Sequence, residues 1–398
     1  MRSNYKKLGQ FIQVVDTRNK ENRKDNLLGV STQKVFIDSV ANTVGTDFKK
    51  YKIVRKHQFT YVPDTSRRGD KMGIAMLDSL EQALVSQAYT VFEVKDLNLL
   101  DPEYLMMWFR RPEFDRYARF KSHGSVREIF DWQEMCDVEL PVPSIEKQRE
   151  IVREYNVVND RIALNEQLIQ KLEDTAQAIY KQWFIDFEFP ISKEYAEFIG
   201  KPELEGKPYK SSGGDVAYSE ELECEVPTIW NIGNLGTLVD MKYGKMLNSD
   251  KFTSEGFPVF SGYGIRGYYS EFMYENPEIL IVCRGVSGTG NVVMSPPKAF
   301  ITNLSIVASI CQSSVRKGFL YYFLKFKNLR SLDSGSAQSM ITIGDLEKVV
   351  VPIPQESLQE SFEQIFEKVQ RQQRVFNKEN GKLVELKSLL LGQMYRGH

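Results

Sequence analysis

Two mixed α/β globular parts separated by two long antiparallel coiled-coil helices, an α+β architecture built on an internal repeat, is the fold class that three observations predict. The chain repeats itself at a constant offset. Each copy leaves its globular part through a Pro-x-Pro segment, and apolar residues then recur at seven-residue spacing.

The repeat fixes the architecture first. Gly124-Ser125-Val126-Arg127 and Asp137-Val138-Glu139-Leu140-Pro141-Val142-Pro143 return as Gly335-Ser336-Ala337-Gln338 and Lys348-Val349-Val350-Val351-Pro352-Ile353-Pro354, and the offset of 211 persists to Gln148 and Gln359. Glu103–Phe109 parallels Gly318–Leu324 after a small shift, and Lys7-Leu8-Gly9 parallels Asn234-Leu235-Gly236. The reading is a globular part over 1–143, a spacer helix over 144–186, a connector over 187–227, a second globular part over 228–354 and a second spacer helix over 355–398.

The spacer helices carry heptad seams. Ile151, Val158, Leu172 and Ile179 form one row, with Asn165 in the same series, and Tyr155, Ile162, Ile169, Ala176 and Trp183 form its companion. In the second helix Phe362, Val369, Phe376, Leu383 and Leu390 repeat the row, while the companion continues from Phe366 into Gln373, Asn380 and Lys387. A helix of ~40 residues spans ~60 Å and cannot bury such a seam alone, so the two are expected to pair antiparallel. A buried Asn165 would cost stability and fix register.

Ile53–Val62, Tyr89–Val94, Ile279–Val282, Gly290–Met294, Ser305–Ile310 and Lys348–Ile353 read as strands, and Leu80–Ala88, Pro102–Phe109 and Arg316–Lys325 as helices. Hydrophobic residues make up 42%, charged residues 26%, and the net charge is −1, the profile of a folded soluble chain. No apolar run reaches the ~18–20 residues of a membrane helix, and nothing at the start resembles a secretory signal, so a cytoplasmic location is expected. Cys136, Cys224, Cys283 and Cys311 lack CxxC spacing and read as free, mostly buried thiols. Three histidines leave little for a metal site or a Ser-His-Asp triad.

Charge is unevenly distributed. The stretch 186–227 carries eleven acidic and four basic side chains among prolines and glycines, and reads as a solvated connector. Lys49–Lys71 is the reverse: eight basic residues oppose Asp64 and Asp70, with Tyr51, Phe59 and Tyr61 interleaved. That mixture suits phosphates and bases, and equally suits an edge strand guarded by lysines. In the second part, Phe260–Tyr268 and Arg284–Asn291 are glycine-rich loops bearing Ser, Thr, Asn, Tyr and Arg, read either as nucleic-acid contacts or as tight turns.

Two enzyme-like strings are declined. Gly285-x-x-Gly288-x-Gly290 has the wrong spacing for a dinucleotide cradle and no GK[ST] follows. Pro63-Asp64 with Glu93-Val94-Lys95 fits a permissive nuclease pattern, yet the repeat-related strand Ser305–Ile310 holds no acid. Ser295-Pro296-Pro297-Lys298 is no substitute for an Asp-Pro-Pro-Tyr string. The chain therefore shows no catalytic residues and no metal site of its own.

Leu140–Pro143 with Gln148, Ala178–Pro190, Gly206–Gly214 and Phe257–Phe260 with Gly267-Tyr268 together resemble the specificity subunit of type I restriction–modification enzymes. The resemblance covers essentially the whole chain. It departs at Trp230-Asn231-Ile232, where the family usually has a Pro-x-Gly-Trp entry, and it is weaker in the first globular part. It implies two target-recognition domains, each reading half of a bipartite, asymmetric duplex DNA site, and helices that set the unread gap. It further implies a non-catalytic chain without cofactor. S-adenosylmethionine, ATP and Mg²⁺ would sit on its partners, two modification (methyltransferase) subunits and the restriction (motor–nuclease) subunits. A coiled-coil scaffold with two ligand-binding domains and no DNA role is the alternative. On this reading the DNA-facing residues are Ser31, Gln33, Lys34, Tyr61, Arg67, Arg68, Lys71, Ser125 and Arg127 in the first domain. In the second they are Lys245, Ser261, Tyr263, Arg266, Arg284, Ser287, Thr289, Asn291 and Gln338. Trp183 and Phe184 are either seam residues or a dock for a modification subunit.

Overall fold

The computed structural model describes residues 5–24, 26–39, 45–65, 71–123, 128–285, 288–332 and 340–394. They form two compact units, one of residues 1–166 and 377–398, the other of residues 167–376.

In the first unit, Ile12–Val15, Thr90–Val94, Phe59–Tyr61 and Ile74–Met76 form an antiparallel sheet in that spatial order. In the second, Val239–Tyr243, Ser305–Ile310, Ile279–Val282 and Val292–Met294 form the same sheet in the same order. Each unit adds a second sheet with one parallel pair, Leu27–Val30 beside Gln82–Val85 and Phe257–Phe260 beside Phe300–Ile301. In the first unit Lys52–Arg55 extends this sheet to four strands, against three in the second. Each is closed by a short ladder joining its start to its Pro-x-Pro exit, Tyr5–Lys7 with Glu139–Pro141 and Asn231–Asn234 with Val350–Ile353. The repeat is therefore one topology written twice.

The repeat is carried by side chains as well. Gln148, fully buried, donates to the carbonyls of Leu99 and Pro143 and accepts from the Asp101 amide, all at 2.9 Å. Gln359, equally buried, donates to the carbonyls of Ser314 (3.0 Å) and Pro354 (2.7 Å) and accepts from the Arg316 amide at 2.9 Å. A primary amide offers two N–H donors and a separate carbonyl acceptor without charge, enough for the two carbonyls and one amide met at each helix entrance. Asp131 and Thr342, 211 apart, cap the short helices Trp132–Cys136 and Ile343–Glu347. Gly9 and Gly236 lie against those helices so closely that a Cβ would come within 2.8 Å of Cys136 and 2.9 Å of Glu347.

The spacer helices run over Ile145–Tyr180 and Glu356–Gln393. Within each unit their segments pair antiparallel. In the first, Arg161 grips Glu379 with two nitrogens at 2.8 and 3.2 Å, and Asn165 donates to Asn380 at 2.8 Å. In the second, Gln373 meets the Ile169 carbonyl and Glu173, while Tyr180 packs on Phe362. The polar companion row thus meets a polar partner, and Asn165 is buried as the heptads require.

Four expectations are corrected. Leu80–Ala88 is a strand, Gln82–Val85, because flanking strands on both sides satisfy its backbone and bury Ala83, Leu84 and Val85, overriding a helical propensity. Ile53–Val62 is two strands in different sheets, split where His57 takes φ 65°. The acidic stretch 187–227 is no solvated linker. Phe187, Phe189, Ile191, Ala196, Tyr209 and Val226 are buried in the core of the second unit, with Phe187 and Phe189 against Trp230 and Phe189 stacked on Tyr209 at 4.6 Å, while every acid of the stretch but Glu188 is exposed. The cysteines are free, but only Cys283 is buried; Cys224 and Cys311 are exposed.

Candidate nucleic-acid interface

The two glycine-rich loops of the second unit form one structure. Ser261 is buried, and its amide and hydroxyl both reach the Gly264 carbonyl, making a tight turn with Gly262 at φ 79°. The turn rests on the sheet: Ser305 Oγ donates to the Ser261 carbonyl at 3.1 Å. From it Tyr263 lays its ring on the second loop, where a Cβ at Gly285 or Gly288 would lie 2.2 or 2.3 Å from the phenol. Its hydroxyl donates to the Arg284 carbonyl at 2.9 Å. Thr289, also buried, donates back to the Gly285 carbonyl at 2.6 Å. Ser261 and Thr289 therefore shape the loops and offer no free hydroxyl, whereas Lys245, Arg266, Arg284 and Asn291 are exposed.

Arg284 forms a β-bridge with Met340, and Asp64 forms one with Ile129, the residue 211 positions before Met340. In each unit this bridge joins the stems of the same two loops. Thr65 reinforces it in the first unit, its amide meeting the Glu128 carbonyl at 3.0 Å. The expected readers Arg67, Arg68, Ser125, Arg127, Ser287 and Gln338 lie beyond these stems, outside the described residues.

Beside the second-unit loop is a cavity of about 600 Å³ lined by Thr289, Asn291, Lys325, Lys327, Asn328 and Arg330. Lys325 is paired with Glu173 at 2.6 Å. Asn328 and the cations were missed by sequence reasoning because they lie some forty residues from the loop. The run Lys325-Phe326-Lys327-Asn328-Leu329-Arg330 was the available signal.

In the first unit Gln33 and Lys71 are exposed and Ser31 is half-buried, its Oγ accepting from the Gln33 amide. Tyr61 and Lys34 are not surface groups. Tyr61 is a core strand residue edge-on to Phe92 and Phe130, and burial pushes its phenol up to about 12. Lys34 is buried, with its ammonium 2.8 Å from Asp115 and donating to the Phe109 carbonyl. Burial draws its pKa below the usual lysine range, against the pull of Asp115. Neither side chain is available to DNA, because each already has its partners inside. Glu93, of the declined nuclease string, accepts from Gln13 and Gln58 on its two oxygens. Among the described residues no three His, Cys, Asp or Glu side chains form a metal-sized group, and no helix is long and apolar enough to cross a membrane.

A family model described as the type I restriction modification DNA specificity domain matches residues 3–174 and 227–387, most of the chain and once per repeat. The chain belongs to this family. It is 23% identical to the HindI type I restriction enzyme specificity subunit of Haemophilus influenzae, across 98% of both chains. It is 24% identical to the MjaIX specificity subunit of Methanocaldococcus jannaschii, a similarity covering 68% of this chain and 64%, under two thirds, of that subunit. The crystal structure of the S subunit of a type I restriction–modification system from M. genitalium has the same fold, with a TM-score of 0.58 at 16% identity over 98% of this chain and 95% of that one.

Trp183 and Phe184, the candidate dock of this specificity-family chain, lie in a π-helical turn, Lys181–Ile185, that ends the first spacer helix. Phe184 is buried against Phe319 (5.0 Å) and Phe362 (5.3 Å) and is a core residue, unavailable to a partner. Trp183 is half-buried, edge-on to Phe362. Its inner face belongs to the seam, and its outer face remains accessible.

Proposed function

We propose that the chain is the non-catalytic DNA specificity subunit of a type I restriction–modification complex, each repeat reading one half of a bipartite, asymmetric duplex site. What carries this reading is the duplication itself, in a DNA specificity family: each unit joins the stems of the same two loops with the same bridge, at Asp64–Ile129 and Arg284–Met340. The loops differ in sequence while their stems do not differ in topology, as expected of two readers of unlike half-sites. The spacer helices set the unread gap and dock two modification subunits. Those subunits hold S-adenosylmethionine and flip an adenine for N6 methylation, and motor–nuclease subunits add ATP- and Mg²⁺-dependent translocation and cleavage. The complex works on cytoplasmic DNA.

The test is long-read methylome sequencing of cells that carry the modification subunit with and without this chain. An interrupted N6-methyladenine motif present only with the chain is the expected result. Identical methylomes, with the modification subunit active on another specificity chain, refute the reading.

A further inference from the structure

We propose that the buried Lys34–Asp115 pair is a positioning device for the first half-site: it holds the 31–35 turn against the segment that begins at Lys71 and Met72. The proposal rests on the reading of the first unit as the recognition domain for one half-site.

Asp115 lies on the helix Pro112–Lys121. Its Oδ1 accepts from the Lys34 ammonium at 2.8 Å and from the Met72 amide at 2.9 Å. Lys34 also donates to the Phe109 carbonyl, at the end of the helix Pro102–Phe109. One carboxylate and one ammonium therefore connect a turn, the segment that emerges just after residues 66–70, and two helices.

The turn is built around that lysine. Lys34 sits at φ 64°, a left-handed conformation unusual for a side-chain-bearing residue. Its amide meets the Ser31 carbonyl at 3.0 Å, and the Ser31 amide meets the Val35 carbonyl at 3.0 Å. Pulling Lys34 inward thus presents Gln33 outward and sets Ser31 at the turn's base. The exposed Lys71 lies next to Met72 and close enough to oppose the Lys34 charge. The same pair therefore governs the placement of candidate contacts on two separate segments.

A buried ion pair often gains little over a well-packed apolar pair of similar size, so the pair is read here as setting geometry. Lys34 is therefore read as a residue that acts through the turn and never touches DNA.

The test compares wild type with Lys34→Met/Asp115→Asn in the complete complex. That variant removes both charges, keeps the lysine stem's bulk and leaves an oxygen for the Met72 amide. The readout is base preference at each position of both half-sites in the methylome. The expected result is an intact second half-site with preference relaxed by roughly tenfold at one or more positions of the first. Unchanged stringency in the first half overturns the positioning role. If the double variant loses methylation altogether, Asp115→Asn alone decides: relaxation confined to the first half supports the proposal, and unchanged stringency or complete loss assigns the pair to folding only. Absence of any interrupted motif with the wild-type chain removes the half-site reading itself, a failure distinct from a wild-type motif that the variant leaves intact.

Discussion

Replacing Gln359 by leucine tests whether the repeated glutamine is a structural clamp. The leucine fits the volume but abandons three backbone groups: the Arg316 amide and the carbonyls of Ser314 and Pro354. Ser314 is exposed, so water can replace its lost partner, whereas the Pro354 bond is buried. Two groups left unsatisfied at ~1–3 kcal/mol each, less a small apolar gain from leucine, give a loss of ~2–4 kcal/mol. In a unit of this size each kcal/mol moves the midpoint by ~2–4 °C, so the shift is about 10 °C downward. Calorimetry of the purified chain should resolve two transitions, one per compact unit, and Gln359→Leu should move only one of them. Gln148→Leu should move the other by a similar amount, since its bonds are the same in kind and number. A Gln359→Leu chain melting within ~2 °C of wild type would refute the clamp. Both variants moving the same transition would refute the repeat's two-unit partition.

Arg284→Ala should relax the second half-site by ~1–3 kcal/mol at one position and leave the first unchanged, checked by methylome motif analysis; equal loss in both halves would contradict the assignment. Asn165→Leu/Asn380→Leu should raise the thermal midpoint by a few degrees, because it removes a part-buried amide pair in which the buried Asn165 leaves its Oδ1 without a partner; calorimetry showing a lower midpoint would count against it. Burial pushes the Glu363 carboxyl above the usual carboxylate range, against the opposing pull of the Gly318 amide. The folded state therefore holds that proton more tightly than the unfolded chain, and stability falls as pH rises from the ordinary glutamate value through the raised one. Glu363→Gln keeps an acceptor and should be more stable than wild type at neutral pH, with less of this slope in denaturant titrations. A variant less stable at pH 7 would overturn the sign.

The sequence by itself determined the duplication and the heptad seams, because each is a pattern in residue spacing, and it carried the motifs on which the family resemblance rests. Heptads reveal which face of a helix must be covered, and a constant offset of 211 needs no coordinates. Gln148 and Gln359 were legible as repeat partners, but their function as clamps was not, since their bonds reach back some forty-five residues. The tertiary structure decided which candidate contacts face outward. On sequence, Lys34 and Tyr61 are expected to face DNA, Tyr61 from within the basic, aromatic stretch Lys49–Lys71, yet Lys34 is paired with Asp115, 81 residues away, and Tyr61 is enclosed by Phe92 and Phe130. The connector shows the same limit. Counting its acids hid the alternation of Phe187, Phe189 and Ile191, which becomes a core only when Trp230 and Tyr209 arrive to cover it. Composition records how much charge and apolar surface a segment carries; burial depends on partners distant in sequence, and only the folded chain supplies them.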